Sequence, residues 1–386
     1  MKREILTEKI PIKLWLDEME PGAMAQARNL ANMPFAFRHI AIMPDSHEGF
    51  GMPIGSVLAT REVVVPNAVG VDIGCGMCAI RTSLKHISVK ELRQILEKAG
   101  KQIPVGFKWH SKSQDEKLMP AEYENLPVVR QEYANALKQL GTLGGGNHFI
   151  EIQKGSDGYI WIMVHSGSRN LGYLVARFYN GEAVKYNESH GSVVPRKADL
   201  AYLPLDIPLS QDYLKEMNYC IEFALANRKL MMDRILEAMV DVLGSYEQGE
   251  MINKSHNFAA WENHFNTRVL VHRKGATRAF KGETGMIPGS QGTSSFIIKG
   301  KGNPDSFHSC SHGAGRKMGR KQAQRELNLE KEMDFLDKQG ILHAVKKRTD
   351  LDEAPGSYKD INTVMENQRD LVDIMVKLSP LAVMKG

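Results

Sequence analysis

Apolar positions along the chain change period repeatedly, and the changes divide it into elements. The first third reads as strands and turns. His39–Met43 is a short apolar run ending at Pro44-Asp45, Gly55–Thr60 and Val63–Val65 read as strands, and Val69–Thr82 is rich in glycine and β-branched residues. Ser88-Val89-Lys90-Glu91 has capping-box spacing and predicts a helix to about Gly100. Pro104–Pro127 reads as a surface excursion. Val128–Leu140 is helical, and Gly141–Gly146 stops it. Tyr159–Val164 predicts a strand ending at His165. Arg169–Asn187 carries apolar residues at helical spacing, and Gly191–Pro208 is a loop region.

Ser210–Gln248 is the longest helical stretch, with Leu214, Met217, Ile221, Leu225, Met232, Ile235, Met239 and Val242 on one repeating face. Its length suggests two helices or one bent helix. Val269–His272 and Phe296–Lys299 predict strands. Gly315–Lys338 predicts a basic and then acidic helix, and Asn362–Lys377 a final helix with Pro380 shortly after it. No Pro/Ser/Gly tract divides the chain, no repeat is present, and candidate site residues fall in every third. The expectation is one continuous α+β domain over residues 1–386.

Composition narrows the class. With 42% hydrophobic and 25% charged residues among 386, the chain is neither disordered, collagen-like nor a coiled-coil rod. No apolar stretch approaches the ~20 residues of a membrane helix. The first residues carry no signal-peptide apolar region, so a cytoplasmic location is expected. Four cysteines are too few for a disulfide scaffold. A net charge of +5 permits a polyanionic substrate without requiring one. Aromatics at 7% argue against a stacking platform of the single-strand-binding kind.

Six segments carry candidate chemistry. In Gly70-Val71-Asp72-Ile73-Gly74-Cys75-Gly76 a carboxylate and a thiol three apart can bend toward one borderline metal such as zinc, manganese or cobalt; a buried cysteine beside a turn Asp reads equally well. Cys75 and Cys78 also form a CxxC, a pattern shared with redox pairs and half zinc sites. Gly144-Gly145-Gly146-Asn147-His148-Phe149 joins a glycine turn that can approach phosphate to a potential metal ligand. His165-Ser166-Gly167-Ser168-Arg169 leads from a strand end into a helix N-terminus, a natural anion site. Ser255-His256-Asn257 is uninformative alone. Pro288–Ser295 is a small polar loop that suits phosphate or a base, or is a plain turn. In Ser309-Cys310-Ser311-His312-Gly313-Ala314-Gly315-Arg316 a histidine sits in a small-residue turn predicted to precede a basic helix, a setting for attack on phosphorus. Asp45 could orient an imidazole, whereas His47 and His272 read as supporting residues. The basic run Arg268–Lys281 could follow a nucleic-acid backbone or be a solvated face. No Walker A, HExxH or kinase pattern is present.

Taken together and in order, these blocks closely resemble the RtcB-type RNA-splicing ligases. The resemblance rests on Met43–His47, Gly70–Gly76, Gly141–Phe149, Val164–Arg169, His256-Asn257, Arg273–Ala276, Pro288–Ser290, Ser311–Arg316 and the terminal Val383-Met384-Lys385-Gly386. It implies a GTP-dependent enzyme with two manganese ions. That enzyme would join an RNA 3′-phosphate or 2′,3′-cyclic phosphate to a 5′-hydroxyl, with an archease-like activator as a candidate partner. By resemblance, Asp72, Cys75 and His148 hold one manganese, and Cys75, His165 and His256 the other. His312 is the guanylylated nucleophile, with Asp45 on its far nitrogen. GTP contacts would be Asn147, His148, Phe149, Ile150, Glu151, His256, Asn257, Pro288, Gly289, Ser290, Gln291, Ser295, His312, Gly313, Ala314, Gly315 and Lys385. Asn170, Gln291 and Cys78 depart from the pattern, and the chain is short for the family. The alternative is a metal-dependent phosphodiesterase that opens cyclic phosphates without joining ends. A third is an RNA-binding relative with a silent site.

Overall fold

The structure is a computed structural model describing residues 1–386. Two sheets organise it. The six-stranded sheet runs, in spatial order, through Arg3–Ile5, Ile12–Leu14, Ala36–His47, Ile54–Thr60, Thr267–Lys274 and Asn257–His264. Its neighbours are antiparallel except Ile12–Leu14 against Ala36–His47. The seven-stranded sheet is wholly antiparallel. It runs through Ile252–Ser255, Gly76–Arg81, Ile160–Ser166, Phe149–Gly155, Val372–Lys385, Ser295–Gly300 and Thr284–Ile287. The mixture of helices with largely antiparallel sheets is the α+β class.

Period-two alternation builds the second sheet's two apolar faces. Cys78, Ile80, Ile150, Ile152, Ile162 and Val164 face the helices Val89–Gln102 and Pro208–Leu243, burying against Ile95, Met232, Ile235 and Met239. Their neighbours Met77, Ala79, Trp161 and Met163 face the other way and pack with Met286 and Ile297. Both faces are therefore covered.

Several expectations need correction. Of the two readings of Ser210–Gln248, the structure has the single helix, Pro208–Leu243, which ends before the expected Gln248. The single helix expected over Gly315–Lys338 is two short ones, Arg320–Glu326 and Leu329–Asp337. Asn328 divides them by accepting the Lys331 N–H at 3.0 Å as an N-cap. The final helix stops at Glu366, and residues expected to continue it lie in the strand Val372–Lys385. Apolar residues there suit either period, so pairing with Phe149–Gly155 and Ser295–Gly300 decides. Pro380 is accommodated where the register shifts between Pro380 and Ala382. A helix at Pro21–Ala31 also interrupts the strands and turns expected in the first third.

Candidate metal centre and active site

Four loop-and-strand junctions bring the sequence-predicted ligands together. Cys75 immediately precedes the strand Gly76–Arg81, and His148 precedes Phe149–Gly155. His165 lies at the end of Ile160–Ser166, where it pairs with Phe149 on one side and Met77 on the other. His256 is the single residue between Ile252–Ser255 of one sheet and Asn257–His264 of the other. The cluster thus sits where the chain passes between the sheets.

Cys75 is central. Its Sγ lies 3.4 Å from Nε2 of His148 and 3.3 Å from Nε2 of His165. His148 Nε2 is 3.1 Å from an Asp72 carboxylate oxygen, and His165 Nε2 is 3.4 Å from His256 Nε2. Asp72, Cys75 and His148 therefore form one trio, and Cys75, His165 and His256 a second, sharing the sulfur. Cys75, His148 and His165 alone place their ligand atoms within 4.8 Å of one another.

Electrostatics favours a cation here. Burial lowers the basicity of His165 and His256 far below that of a free imidazole, so their ring nitrogens stay neutral and able to donate electron pairs. Burial, with the nearby Asp72 charge, pushes the Cys75 thiol well up. Burial also raises Asp72, but its hydrogen bond to His148 and the charge there carry it down overall. A thiol, a carboxylate and three imidazoles converging with few protons to share suit a borderline dication, which would also bind Cys75 as the thiolate.

Outer contacts orient the ligands. His165 Nδ1–H donates to the Asn147 carbonyl at 3.1 Å, which directs Nε2 into the cluster. Sequence reasoning missed Asn227 and Arg228 on the long helix. The buried Arg228 guanidinium donates to the carbonyls of Gly74 and Ser166, both at 2.9 Å, bracing the turns of Cys75 and His165. The Asn227 amide accepts from the backbone of Gly141 at 2.7 Å and donates to the Gly167 carbonyl at 3.1 Å. Arg228 fills the gap in the repeating apolar face, three after Leu225 and four before Met232, so helical spacing was the signal that could have found it; Asn227 lies beside that face.

His312 lies beside the cluster, its ring 4.8 Å from that of His256. It follows the short strand Ser309–Ser311, and the next helix begins only at Arg320, so the expected helix N-terminus is not next to it. On its other side Nδ1 is 2.6 Å from Asp45 Oδ2. The contact is an ion pair only when the ring carries its second proton. Gly315, at φ +73°, passes directly against the Asp45 carbonyl, where a side chain would collide.

The expected nucleotide residues divide into two groups. Glu151 is buried, which raises its carboxyl to about 8, and Gln153 hydrogen-bonds it. Lys385 lies over the Phe149 ring and 3.3 Å from Glu353. Several others serve the scaffold. The Asn257 side chain donates to the Asp72 carbonyl at 3.0 Å and accepts from Gly275 at 2.7 Å. Gln291 donates to the Glu353 carbonyl at 3.0 Å and accepts from Ala344 at 3.1 Å. Ser295 accepts from Gly289 at 3.1 Å, shaping the Pro288–Ser290 turn, whose proline carbonyl borders Gly313.

Glu353 was not legible in the sequence. Its buried carboxylate meets Arg316 at 3.2 Å, Lys385 at 3.3 Å, Arg320 and the Tyr358 hydroxyl. Burial raises it, but the Lys385 and Arg320 charges overcome this and hold it down at about 2. The basic run Arg268–Lys281 is not a continuous exposed face. Arg273 is fully buried in a bidentate pair with Glu262, at 2.6 and 3.0 Å. Lys274 is buried, which lowers it to about 7, and donates to the carbonyls of Phe50 at 2.5 Å and Asn67 at 3.0 Å. His272 is likewise structural, accepting the Val65 N–H at 3.1 Å.

The fold and site define an α+β protein with a cysteine-centred candidate metal cluster flanked by a carboxylate-held histidine. The sequence pattern of the family described as "tRNA-splicing ligase RtcB" matches residues 26–386. The chain belongs to the RtcB family, which makes it an RNA ligase. It is 39% identical to "RNA-splicing ligase RtcB1" of an Escherichia coli strain and 38% identical to "RNA-splicing ligase RtcB" of Escherichia coli K12. Each match covers all of both chains. It is 29% identical to "tRNA-splicing ligase RtcB" of Thermococcus kodakarensis, over 98% of this chain and 95% of that one.

Proposed function

We propose that this chain seals RNA breaks, joining 3′-phosphate or 2′,3′-cyclic phosphate ends to 5′-hydroxyl ends. In this reading residues 1–386 act as one catalytic unit in the cytoplasm, with GTP as the energy source. The observation that carries it is the position of His312 between His256 of the metal cluster and the Asp45 carboxylate.

In this reading Asp72, Cys75, His148, His165 and His256 hold two manganese ions, which supply charge neutralisation at phosphate oxygens. Asp45 faces Nδ1 of His312, leaving Nε2 to attack the α-phosphorus of GTP. The Nε2–phosphorus bond forms, the bond to the leaving pyrophosphate breaks, and the Asp45 charge balances the imidazolium. A 2′,3′-cyclic end is first opened by water at its bond to the 2′-oxygen; the His312–phosphorus bond then breaks as GMP passes to the RNA 3′-phosphate, and the 5′-hydroxyl oxygen displaces GMP, giving its proton to solvent. Glu151 and Lys385 would read guanine: a buried carboxyl that burial keeps protonated is stabilised as the anion by two N–H donors.

The test is incubation with labelled GTP and manganese, followed by a denaturing gel and acid and alkali treatment. An acid-labile, alkali-stable adduct, absent in His312→Ala, is expected. No adduct from metal-loaded protein, even with an archease-like protein added, together with opening of cyclic phosphate ends without GTP, would establish the phosphodiesterase instead.

A further inference from the structure

Within the surface excursion that precedes the Gly144–Gly146 turn, Gly106–Lys112 reads Gly-Phe-Lys-Trp-His-Ser-Lys, two aromatics with two lysines and no acid. Phe107 is fully exposed and Trp109 is 41% exposed. An exposed large aromatic is unremarkable alone, but a pair at the tip of one loop requires a reason. Of the other tryptophans, Trp15 and Trp161 are buried, and Trp261, as exposed as Trp109 at 42%, has the Arg268 guanidinium over its ring. Phe107 and Trp109 have no stacking partner within the chain. Lys108 and Lys112 are exposed and form no ion pair.

The tip is held firmly at its base. Gly106 N–H donates to the Gly144 carbonyl at 3.0 Å, and the Gly106 carbonyl accepts from Arg169 at 2.9 Å. On the far side His110 N–H donates to the Lys138 carbonyl at 2.9 Å. Gly144 in turn is packed directly against His148, so two successive contacts link the aromatic tip to a candidate metal ligand. The anchored backbone removes much of the ordering cost of binding, and the rings stay presented to solvent beside the site.

We propose that Phe107 and Trp109 form a stacking platform for unpaired nucleotides of the RNA beside the break, with Lys108 and Lys112 tracking its phosphates. This rests on the ligase reading of the neighbouring site. Unpaired bases stack on aromatic faces without regard to sequence, and Lys108 between the rings and Lys112 beyond them offer positive charge to the phosphates. An enzyme that must hold frayed ends of varied sequence needs that kind of contact.

The test uses the full chain and two labelled RNAs ending in a 3′-phosphate, one with several unpaired nucleotides at the end and one a blunt duplex. Binding is followed by fluorescence anisotropy. Phe107→Ala/Trp109→Ala should weaken the unpaired RNA by about fivefold to a hundredfold, the range of one lost base stack, and leave the blunt duplex nearly unchanged. Phe107→Tyr/Trp109→Phe should restore binding. Lys108→Gln/Lys112→Gln should weaken both RNAs and flatten the salt dependence. Equal affinity of the alanine double variant and the parent for the unpaired RNA would overturn the proposal. If activation by an added protein partner fell while RNA affinity held, that would reassign the face to protein docking. GMP labelling of His312 is scored in the same samples. Labelling absent from the metal-loaded parent even with an archease-like protein added would overturn the GTP-dependent reading of the site, whereas labelling intact with RNA binding unmoved overturns only the platform.

Discussion

Oδ2 of Asp45 lies 2.6 Å from Nδ1 of His312 and also accepts the backbone N–H of His312 at 3.0 Å and of Gly313 at 3.2 Å. One fully buried oxygen thus holds both the ring and the turn that carries it. Burial raises Asp45, yet the facing His312 brings it below the ordinary carboxylate range. Asp45→Asn keeps the shape and removes the charge that would balance an imidazolium. GMP-adduct formation should slow by about a hundredfold or more. The check is the initial labelling rate with thermal stability measured alongside; an unchanged rate would take Asp45 out of the chemistry.

Because the Cys75 sulfur belongs to both trios, one substitution should empty both sites. Cys75→Ala is expected to lose both manganese ions, read by calorimetric titration and by metal content after dialysis. Two ions still held tightly would show that the sulfur does not bridge.

Gly167 supports the cluster without contributing a ligand. A Cβ added there would overlap the Asp72 carboxylate. Gly167→Ala should therefore displace Asp72 and weaken metal binding by about tenfold to a hundredfold, the size of effect seen when ligand supports are lost. Cys75, His148 and His165 stay in place. Parent-like affinity would mean that Asp72 is not a ligand.

Glu353 predicts an acid limit to stability. Its carboxyl is held at about 2 in the fold against an ordinary 4.5. A lowered folded-state value stabilises above the unfolded value, and the contribution is lost as pH falls through the folded one. About 3 kcal/mol should therefore disappear between about pH 4.5 and 2. Glu353→Gln should lose this component at neutral pH, leaving Arg316, Arg320 and Lys385 to repel one another. Denaturation midpoints across that pH range check it. If Lys385 reads guanine from its place beside Glu353, GTP affinity should fall as well.

The sequence carried much of the candidate site. Asp72, Cys75, His148, His165, His256 and His312 stand in short motifs whose order is visible without coordinates, and the structure brings them into one place. The elements that hold them were less legible. Arg228 interrupts the apolar face of the long helix, so its inward direction was legible in the spacing, but the turns that it and Asn227 brace come from distant segments and were not. Glu353 sits in an acidic stretch indistinguishable from a solvated one. Lys274 and Arg273 read as part of an exposed basic run, yet buried carbonyls and Glu262 claim them. Pro104–Pro127 is the excursion its sequence predicts, but the low aromatic content of the chain as a whole concealed two rings gathered at its tip.

What the sequence by itself determined is local or chemical: the periods of its strands and helices, the capping box at Ser88, the donor atoms available and the family they mark. Tertiary structure decided where competing local preferences were nearly equal or where partners came from afar. Val372–Lys385 became a strand because two neighbouring strands offered its backbone hydrogen bonds, a gain that helical periodicity does not register. The sulfur of Cys75 became central because junctions from both sheets meet around it. Such contacts join residues 73 to 91 positions apart, and their free energy depends on closing the whole fold rather than on any one segment.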